Sequence, residues 1–242
     1  MKVLILAAGI GTRISRHLSG NPKCMLDIGK TTLISYTLQL LKNSGIKKIG
    51  IILGYKHQII KKEIMPYDVE IFYNPFFDVT NSLASAWFAR KFIDEPEEII
   101  IMNGDVFMEE EVLNAILKET LDPVIFADSS RREEADYKLG YENNILKKYG
   151  KDLMGDDITG EYIGVAKIGK RFIPAFLASL DHLIEEQKHS VWWENALYEL
   201  SNTKNIYVRD IVGGFWAEVD YIEDYERILA FRKTEQLCNY SV

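Results

Sequence analysis

The chain has 242 residues, 47% of them hydrophobic, and a formal net charge of −7 at pH 7. The length fits one large α/β domain, and the acidic balance argues against nucleic acid or an anionic membrane as the main partner. The two cysteines, Cys24 and Cys238, show no metal-ligand spacing, and no apolar run is long enough to span a membrane. These properties predict a cytoplasmic protein that must concentrate positive charge locally if it binds a phosphate ligand.

The first half of the chain alternates short apolar runs with segments of helical periodicity. Strands are predicted at residues 3–8, 49–53, 69–73, 98–102, 124–127 and 215–219. Helices are predicted between Thr32 and Gly45 and at residues 56–65, 81–90, 109–119, 170–186, 191–201 and 221–236. The alternation predicts an α/β fold with a Rossmann-like, doubly wound, mostly parallel sheet that binds ligands at the carboxyl ends of its strands.

Residues 128–169 differ in composition from the rest of the chain, because charged and glycine-containing segments dominate there. Only residues 162–168 alternate clearly, as a strand does. We interpret this region as a small antiparallel patch against the edge of the main sheet. No linker-like segment or internal repeat divides the sequence, so we expect residues 1–242 to form a single domain.

The first predicted strand runs directly into a glycine loop. Gly9 and Gly11 allow a sharp turn and leave backbone N–H groups open to an anion, and Arg13 and Lys23 place positive charge nearby. The loop lacks the third glycine of the dinucleotide fingerprint and the Gly-Lys-Ser/Thr of a P-loop. The pattern therefore predicts a cradle for a polyphosphate and disfavours a dinucleotide-dependent oxidoreductase.

Two aspartates directly follow predicted strands. Asp105 comes after the strand at 98–102, and Asp220 comes after the strand at 215–219. Each could simply cap a helix or turn. If both strands belong to one sheet, however, the carboxylates converge, and such oxygen ligands suit Mg²⁺. The sequence thus predicts a magnesium site beside the glycine loop.

The spacing Leu-Ala-Ala-Gly-x-Gly-x-Arg at 6–13, followed by Pro22-Lys23, resembles the signature of the sugar-phosphate and choline-phosphate nucleotidyltransferases. Arg16 departs from it, because the family often has proline there. The resemblance implies the nucleotide-diphospho-sugar transferase fold, with Asp105 and Asp220 as ligands of a catalytic Mg²⁺ and Arg13 and Lys23 as catalytic cations. It also implies a set of nucleotide-binding residues: Leu6, Ala8, Gly9, Gly11, Thr12, Arg13, Lys23, Asn81, Ser82 and Asp105.

Two further segments resemble the choline-phosphate cytidylyltransferases. Asn81-Ser82, before an apolar helix, matches a segment near the base or the acceptor, and 192–195, Trp-Trp-Glu-Asn, resembles an aromatic-acidic segment near the acceptor. We expect one tryptophan in the core and the other half-exposed, where its ring could attract a cationic group. The predicted acceptor-binding residues are Lys138, Glu161, Trp192, Trp193 and Glu194, with Asp157 as a weaker candidate and Arg131 as an alternative to Lys138 for a carboxylate.

The resemblance implies a reaction in which CTP and a small phosphorylated or phosphonate acceptor give a CDP- or CMP-linked product and pyrophosphate. The acceptor could be phosphocholine, an aminoalkylphosphonate, phosphorylated glutamine or a sugar 1-phosphate, and we favour a cationic or zwitterionic one. Two alternatives stay open: a sugar-1-phosphate uridylyl-, thymidylyl- or guanylyltransferase, and a nucleotide-binding regulatory module without turnover. A role in cell-surface polysaccharide modification is also implied, and a homodimer is left open.

Overall fold

The computed structural model describes residues 1–11 and 20–239. Its strands are β1 (Lys2–Ala7), β2 (Lys48–Leu53), β3 (Glu70–Tyr73), β4 (Ile99–Asn103), β5 (Val106–Met108), β6 (Val124–Asp128), β7 (Lys138–Glu142), β8 (Ile145–Gly150), β9 (Gly160–Ile168), β10 (Tyr207–Asp210) and β11 (Trp216–Glu218). Its α-helices are α1 (Leu33–Asn43), α2 (His57–Ile64), α3 (Ser82–Phe88), α4 (Arg90–Ile93), α5 (Glu110–Lys118), α6 (Ile173–Glu185), α7 (Asn195–Leu200) and α8 (Ile222–Asn239). None of the helices described is long and apolar enough to cross a membrane.

Nine strands form one mixed sheet in the order β3-β2-β1-β4-β9-β6-β10-β8-β7. β1 pairs in parallel with both β2 and β4, and β6 pairs in parallel with β10. β9 runs antiparallel between β4 and β6 and also pairs with β7. The carboxyl ends of β1 and β4 therefore lie side by side at one edge of the sheet.

Alternate residues of β1 enter two cores, one on each face of the sheet. Leu4 and Leu6 pack with α3, α4, α6 and α7, whereas Val3 and Ile5 pack with α1, α2 and α5. A strand covered on both faces reads as a continuous apolar run, which is why β1 shows no alternation in the sequence. The observed sheet with helices on both faces confirms the predicted doubly wound α/β fold.

Three details of the prediction were wrong. The alternating stretch at 162–168 is not in an edge patch, because β9 fills the middle of the sheet, while β7 and β8 form the antiparallel edge. The strand near 215–219 is not in the main sheet, since β11 pairs only with β5 in a separate two-stranded sheet. Two strands, β5 and β10, were not predicted. The single-domain organisation stays a prediction.

The small β5–β11 sheet is attached to the main sheet close to the ends of β1 and β4. Phe107, Ala217 and Val219 form a compact apolar cluster with Ile228 of α8. The backbone N–H of Val219 donates to the carbonyl oxygen of Asp105 at 3.0 Å. This contact brings the residue after β11 next to the residues after β4, although the two strands belong to different sheets.

Candidate active site

A cleft of about 400 Å³ opens at the carboxyl ends of β1 and β4. Its floor is the loop after β1 and the turn after β4, and its far wall comes from residues 136–151 and 192–198. The backbone crosses closely here, because the N–H of Gly104 donates to the carbonyl oxygen of Leu6 at 2.8 Å. A Cβ at position 104 would lie 2.7 Å from that same oxygen, so only glycine fits.

Gly11 shapes the described part of the phosphate loop. Its φ of +69° is in the left-handed region, and a Cβ there would come within 2.7 Å of Lys23 Cγ. Glycine accepts this φ without strain and leaves room for the lysine stem. Lys23 itself begins a short 3₁₀ turn, Lys23–Met25, that follows Pro22. The two halves of the sequence signature thus meet through the contact of Gly11 with Lys23.

The ammonium of Lys23 lies between the two aspartates. Its Nζ donates to Asp105 Oδ2 at 2.8 Å and to Asp220 Oδ1 at 2.6 Å. Burial lowers the pKa of Lys23, but the two carboxylates outweigh it and the net pKa is raised. The lysine is therefore held charged, and one cation is in contact with both carboxylates at the same time.

A buried polar network supports this centre from below. Asn103 Nδ2 donates to Glu218 Oε1 at 2.9 Å, and the indole Nε1 of Trp193 donates to Asn103 Oδ1 at 3.0 Å. Burial and the nearby carboxylates of Asp105 and Asp220 raise the pKa of Glu218 well above its usual value. The network fixes the side chains on either side of the aspartates and links them to the far wall.

Three buried polar atoms on that far wall lack partners. Within the described chain, Tyr162 Oη, Glu194 Oε2 and Tyr198 Oη make no hydrogen bond, although all three residues line the cleft. Burial raises the pKa of Glu194 to about 7. Buried polar groups are rarely left unpaired in folded proteins, because each unmade hydrogen bond costs free energy. These atoms identify a place where a bound ligand would supply hydrogen-bond donors.

Aromatic rings and one lysine complete the wall. Tyr137 stacks on Tyr198 at 5.8 Å between ring centroids and meets the edge of Trp192 at 5.6 Å. Lys151 Nζ lies 5.6 Å from the centroid of the Trp192 ring and donates to Asp136 Oδ2 at 2.6 Å. Trp192 is 40% exposed. The wall therefore offers ring faces, a cation and carboxylates to whatever enters the cleft.

The structure brings most of the predicted site residues to this cleft. Those that line it are Leu6, Ala8, Gly9, Gly11, Lys23, Asn81, Ser82, Asp105, Trp192, Glu194 and Asp220. Ser82 also joins the two predicted segments, because its Oγ accepts from the backbone N–H of Trp193 at 3.0 Å. Thr12 and Arg13 fall in residues 12–19 and lie outside the described residues, so their predicted phosphate contacts stay predictions.

Three predicted acceptor-binding residues do not line the cleft. Trp193 is fully buried in the core, with its indole N–H used by Asn103. Lys138 Nζ donates to two backbone carbonyl oxygens, at residues 151 and 153. Glu161 accepts from Arg131 Nε at 2.6 Å, which occupies both partners. The weaker candidate Asp157 pairs with the exposed Lys148 instead. These four side chains, which were predicted to bind the acceptor, instead contact other groups of the protein.

Other cleft residues were missed by sequence reasoning. Asn103 and Glu218 each stand two residues before a predicted metal ligand, and alternation along a strand could have placed them on the same face. Tyr137 and Lys151 had no such signal, because they lie in the segment 128–169 where no pattern was clear. They reach the cleft because they flank the hairpin β7–β8, one at each end.

Comparisons with known proteins show the family to which the chain is similar. A family model described as the MobA-like NTP transferase domain matches residues 3–198. The chain is 26% identical over 258 residues to the CTP:phosphoglutamine cytidylyltransferase of Campylobacter jejuni subsp. jejuni, covering 93% of this chain and 98% of that protein. It is 25% identical over 243 residues to the choline-phosphate cytidylyltransferase of Streptococcus pneumoniae, covering 97% and 100%.

A solved structure shows the same fold. The CTP:phosphocholine cytidylyltransferase from Streptococcus pneumoniae matches with a TM-score of 0.79 at 21% identity, over 95% of this chain and 98% of that one. Together with the motif at 6–13 and Pro22-Lys23, the family match over most of the chain confirms the predicted resemblance to nucleotidyltransferases. The chain belongs to the MobA-like NTP transferase family.

Proposed function

We propose that this protein transfers the cytidylyl group of CTP to a phosphate or phosphonate oxygen of a small acceptor and releases pyrophosphate. The observation that carries the proposal is that Asp105 and Asp220 converge on one point, where both contact the ammonium of Lys23, directly beside the glycine loop. A polyphosphate in this loop would meet both a cation site and Lys23. The relatives from Campylobacter jejuni and Streptococcus pneumoniae, which match over nearly their full length, are both cytidylyltransferases, and this supports CTP as the nucleotide.

The two carboxylates fit a divalent cation. The ammonium of Lys23 shows that one positive centre reaches both Asp105 Oδ2 and Asp220 Oδ1 within 2.8 Å. No set of three or more potential ligands for a metal is present among the described residues. Two carboxylates suit Mg²⁺, which usually keeps waters and takes its remaining oxygens from a bound phosphate. Mg²⁺ held there would neutralise phosphate charge while the bond to the leaving group breaks.

The protein needs little acid–base chemistry for this reaction. An ionised oxygen of the acceptor phosphate attacks the α-phosphorus, and the bond from that phosphorus to the bridging oxygen breaks. The electron pair leaves with pyrophosphate, and no proton has to be removed from the nucleophile. Lys23 stabilises the charge that develops on the α-phosphoryl group and on the leaving group. Arg13, if it lies as predicted, adds a second positive charge.

The nature of the far wall favours an acceptor with a positively charged group. Glu194 and Asp136 both line the cleft there, beside the rings of Tyr137 and Trp192. Carboxylates and aromatic faces attract ammonium groups, whereas a neutral sugar would leave the buried carboxylate of Glu194 without a counter-charge. A sugar-1-phosphate nucleotidyltransferase is therefore the second choice.

The alternative of another class is a nucleotide-binding module without turnover. Such a module has less use for two carboxylates that converge on one cation. An assay of pyrophosphate release in Mg²⁺ separates the two functions. CTP, UTP, GTP and dTTP are each tested with phosphocholine, aminoethylphosphonate, phosphoglutamine and glucose 1-phosphate. We expect turnover with CTP and a charged acceptor. Nucleotide binding without pyrophosphate release in any combination would contradict the proposal.

A further inference from the structure

The far wall of the cleft carries two opposite charges on separate segments. Glu194, just before α7, is buried and has an unpartnered carboxylate oxygen. Lys151, just after β8, holds its ammonium 5.6 Å from the centroid of the Trp192 ring. Among the described residues that line this wall, Lys151 supplies the positive charge, whereas Asp136 and Glu194 are both acidic. Tyr137 and Trp192 lie with them on the same wall.

We propose that this wall recognises a zwitterionic head group, with the ammonium of the acceptor bound at Glu194 and its carboxylate bound at Lys151. The acceptor would then be an amino-acid phosphate rather than a simple amine phosphate. This inference rests on the proposed function and deepens it, because it assigns the two charged groups of the acceptor to particular side chains. Lys151 becomes a specificity-determining residue that the sequence did not indicate.

Glu194 is assigned to the acceptor ammonium because of the unpartnered oxygen atoms on the wall. Glu194 Oε2 accepts no hydrogen bond, and the hydroxyl oxygens of Tyr162 and Tyr198 on the same wall are also unpartnered within the described chain. All three oxygens can accept N–H donors. A primary ammonium has N–H donors to offer and makes short, charge-assisted bonds to a carboxylate, whereas a quaternary ammonium has none. A quaternary group would offer the carboxylate of Glu194 no N–H donor.

Lys151 is assigned to the acceptor carboxylate because the other candidate cations are bound elsewhere in the protein. Lys138 is used by backbone carbonyls and Arg131 by Glu161, so neither reaches the cleft. Lys151 does line the cleft, and its ammonium donates to Asp136 Oδ2 at 2.6 Å. An ammonium has three donors, so a ligand carboxylate can be bound while that bond is kept. The Trp192 ring attracts the ammonium and so helps to keep it at the wall.

Matched acceptors isolate the carboxylate. O-phosphoserine and phosphoethanolamine differ only by it, as do O-phosphohomoserine and 3-aminopropyl phosphate. We expect the wild-type enzyme with CTP and Mg²⁺ to prefer the carboxylate-bearing member of a pair by about tenfold or more in kcat/KM, as a charged hydrogen bond allows. Phosphocholine provides the quaternary comparison. A best acceptor that lacks a carboxylate, phosphocholine included, would overturn the inference while leaving cytidylyl transfer intact.

A lysine variant tests the assignment directly. Lys151→Met should raise KM for the carboxylate-bearing acceptor about tenfold or more and change KM for its partner by less than about twofold. Glu194→Gln should raise KM for both members of the pair. Lys147→Met is the control, because Lys147 is an exposed residue of β8 that does not line the cleft. If Lys151→Met weakens both acceptors equally, the lysine only supports the wall and the assignment is wrong.

The failure of the proposed function would look different. In that case no pyrophosphate would be released from CTP with any acceptor. Head-group recognition would still be decided by the melting temperature, measured with each matched compound in the absence of turnover. Stabilisation by O-phosphoserine but not by phosphoethanolamine, lost in Lys151→Met, would support the inference. Equal stabilisation by both compounds, or none by either, would overturn it.

Discussion

The two ends of the cleft differ in how their charges are satisfied. At the floor, Lys23 is bonded to both Asp105 and Asp220, so each carboxylate already has a cationic partner and the lysine offsets part of their charge. At the far wall, Glu194 is buried with an unpartnered oxygen. Ligands that bind at the floor must therefore replace contacts between Lys23 and the aspartates, whereas a ligand at the far wall supplies a partner that Glu194 lacks. Substitutions at the two ends should consequently have different signatures.

The largest effect should come from the aspartates of the floor. Asp105→Asn or Asp220→Asn weakens the predicted cation site, so we expect turnover to fall by about a thousandfold or more. The melting temperature should change little. Asp68→Asn, at an exposed position away from the cleft, is the matched control. Near-normal turnover of either floor variant in Mg²⁺ would show that the carboxylates do not hold the metal.

The lysine between them should show two opposite effects. Lys23→Met should lower kcat by roughly a hundredfold, more than it weakens CTP binding, because the charge is wanted most in the transition state. Without nucleotide, the same variant should bind Mn²⁺ more tightly, since the ammonium no longer occupies the space between the carboxylates. Mn²⁺ titration followed by electron paramagnetic resonance measures this. Unchanged Mn²⁺ affinity would mean that the lysine and the metal do not compete.

The two ends also differ in how far the sequence could predict them. The floor comes from short motifs at strand ends, where glycines and carboxylates follow apolar runs, and Gly9, Gly11, Lys23, Asp105 and Asp220 all line the cleft. Even there the reasoning was partly wrong, because Asp220 follows a strand of the small second sheet. It reaches Asp105 through the backbone bond from Val219, and no periodicity reveals such a contact.

The wall could not be predicted in this way. Its residues come from the two ends of the hairpin β7–β8, from β9, and from α7 and the segment before it. Which of them line the cleft depends on which side chains the fold uses elsewhere. Lys138 and Lys151 look alike in the sequence, yet one binds backbone carbonyls and the other lines the cleft. Trp192 and Trp193 are adjacent, and the predicted division into one core and one half-exposed ring agrees with their burial. Which of them would be buried was not predictable.

A smaller effect should appear in the acceptor kinetics as a function of pH. The pKa of Glu194 is raised to about 7 by burial, so the free enzyme loses its negative charge there below that pH. An ammonium acceptor binds the ionised carboxylate, so kcat/KM should rise with pH up to about 7 and then level. We expect about a tenfold fall per pH unit below it, because only the ionised fraction binds. Glu194→Gln should remove this rise. A wild-type profile that is flat from pH 5 to 8 would show that the charge of Glu194 plays no part.

The smallest predicted effect is on the free energy of unfolding. It tests whether the carboxylate of Glu194 on the wall is unpaired, unlike the aspartates of the floor. Burial raises the pKa of Glu194 from its ordinary value of 4.5 to about 7, so between these values the folded protein keeps a proton that the unfolded chain has lost. The free energy of unfolding should therefore fall by on the order of 1–3 kcal/mol as pH rises through this window, and level above it.

Glu194→Gln has no proton to lose, so its advantage over wild type should grow from pH 5 to pH 8 in urea unfolding. Glu186→Gln, an exposed position on the neighbouring α6 end, should show no such growth. A bound amine-bearing acceptor should remove the difference by pairing the carboxylate. An advantage of Glu194→Gln that does not grow from pH 5 to pH 8 would contradict this prediction.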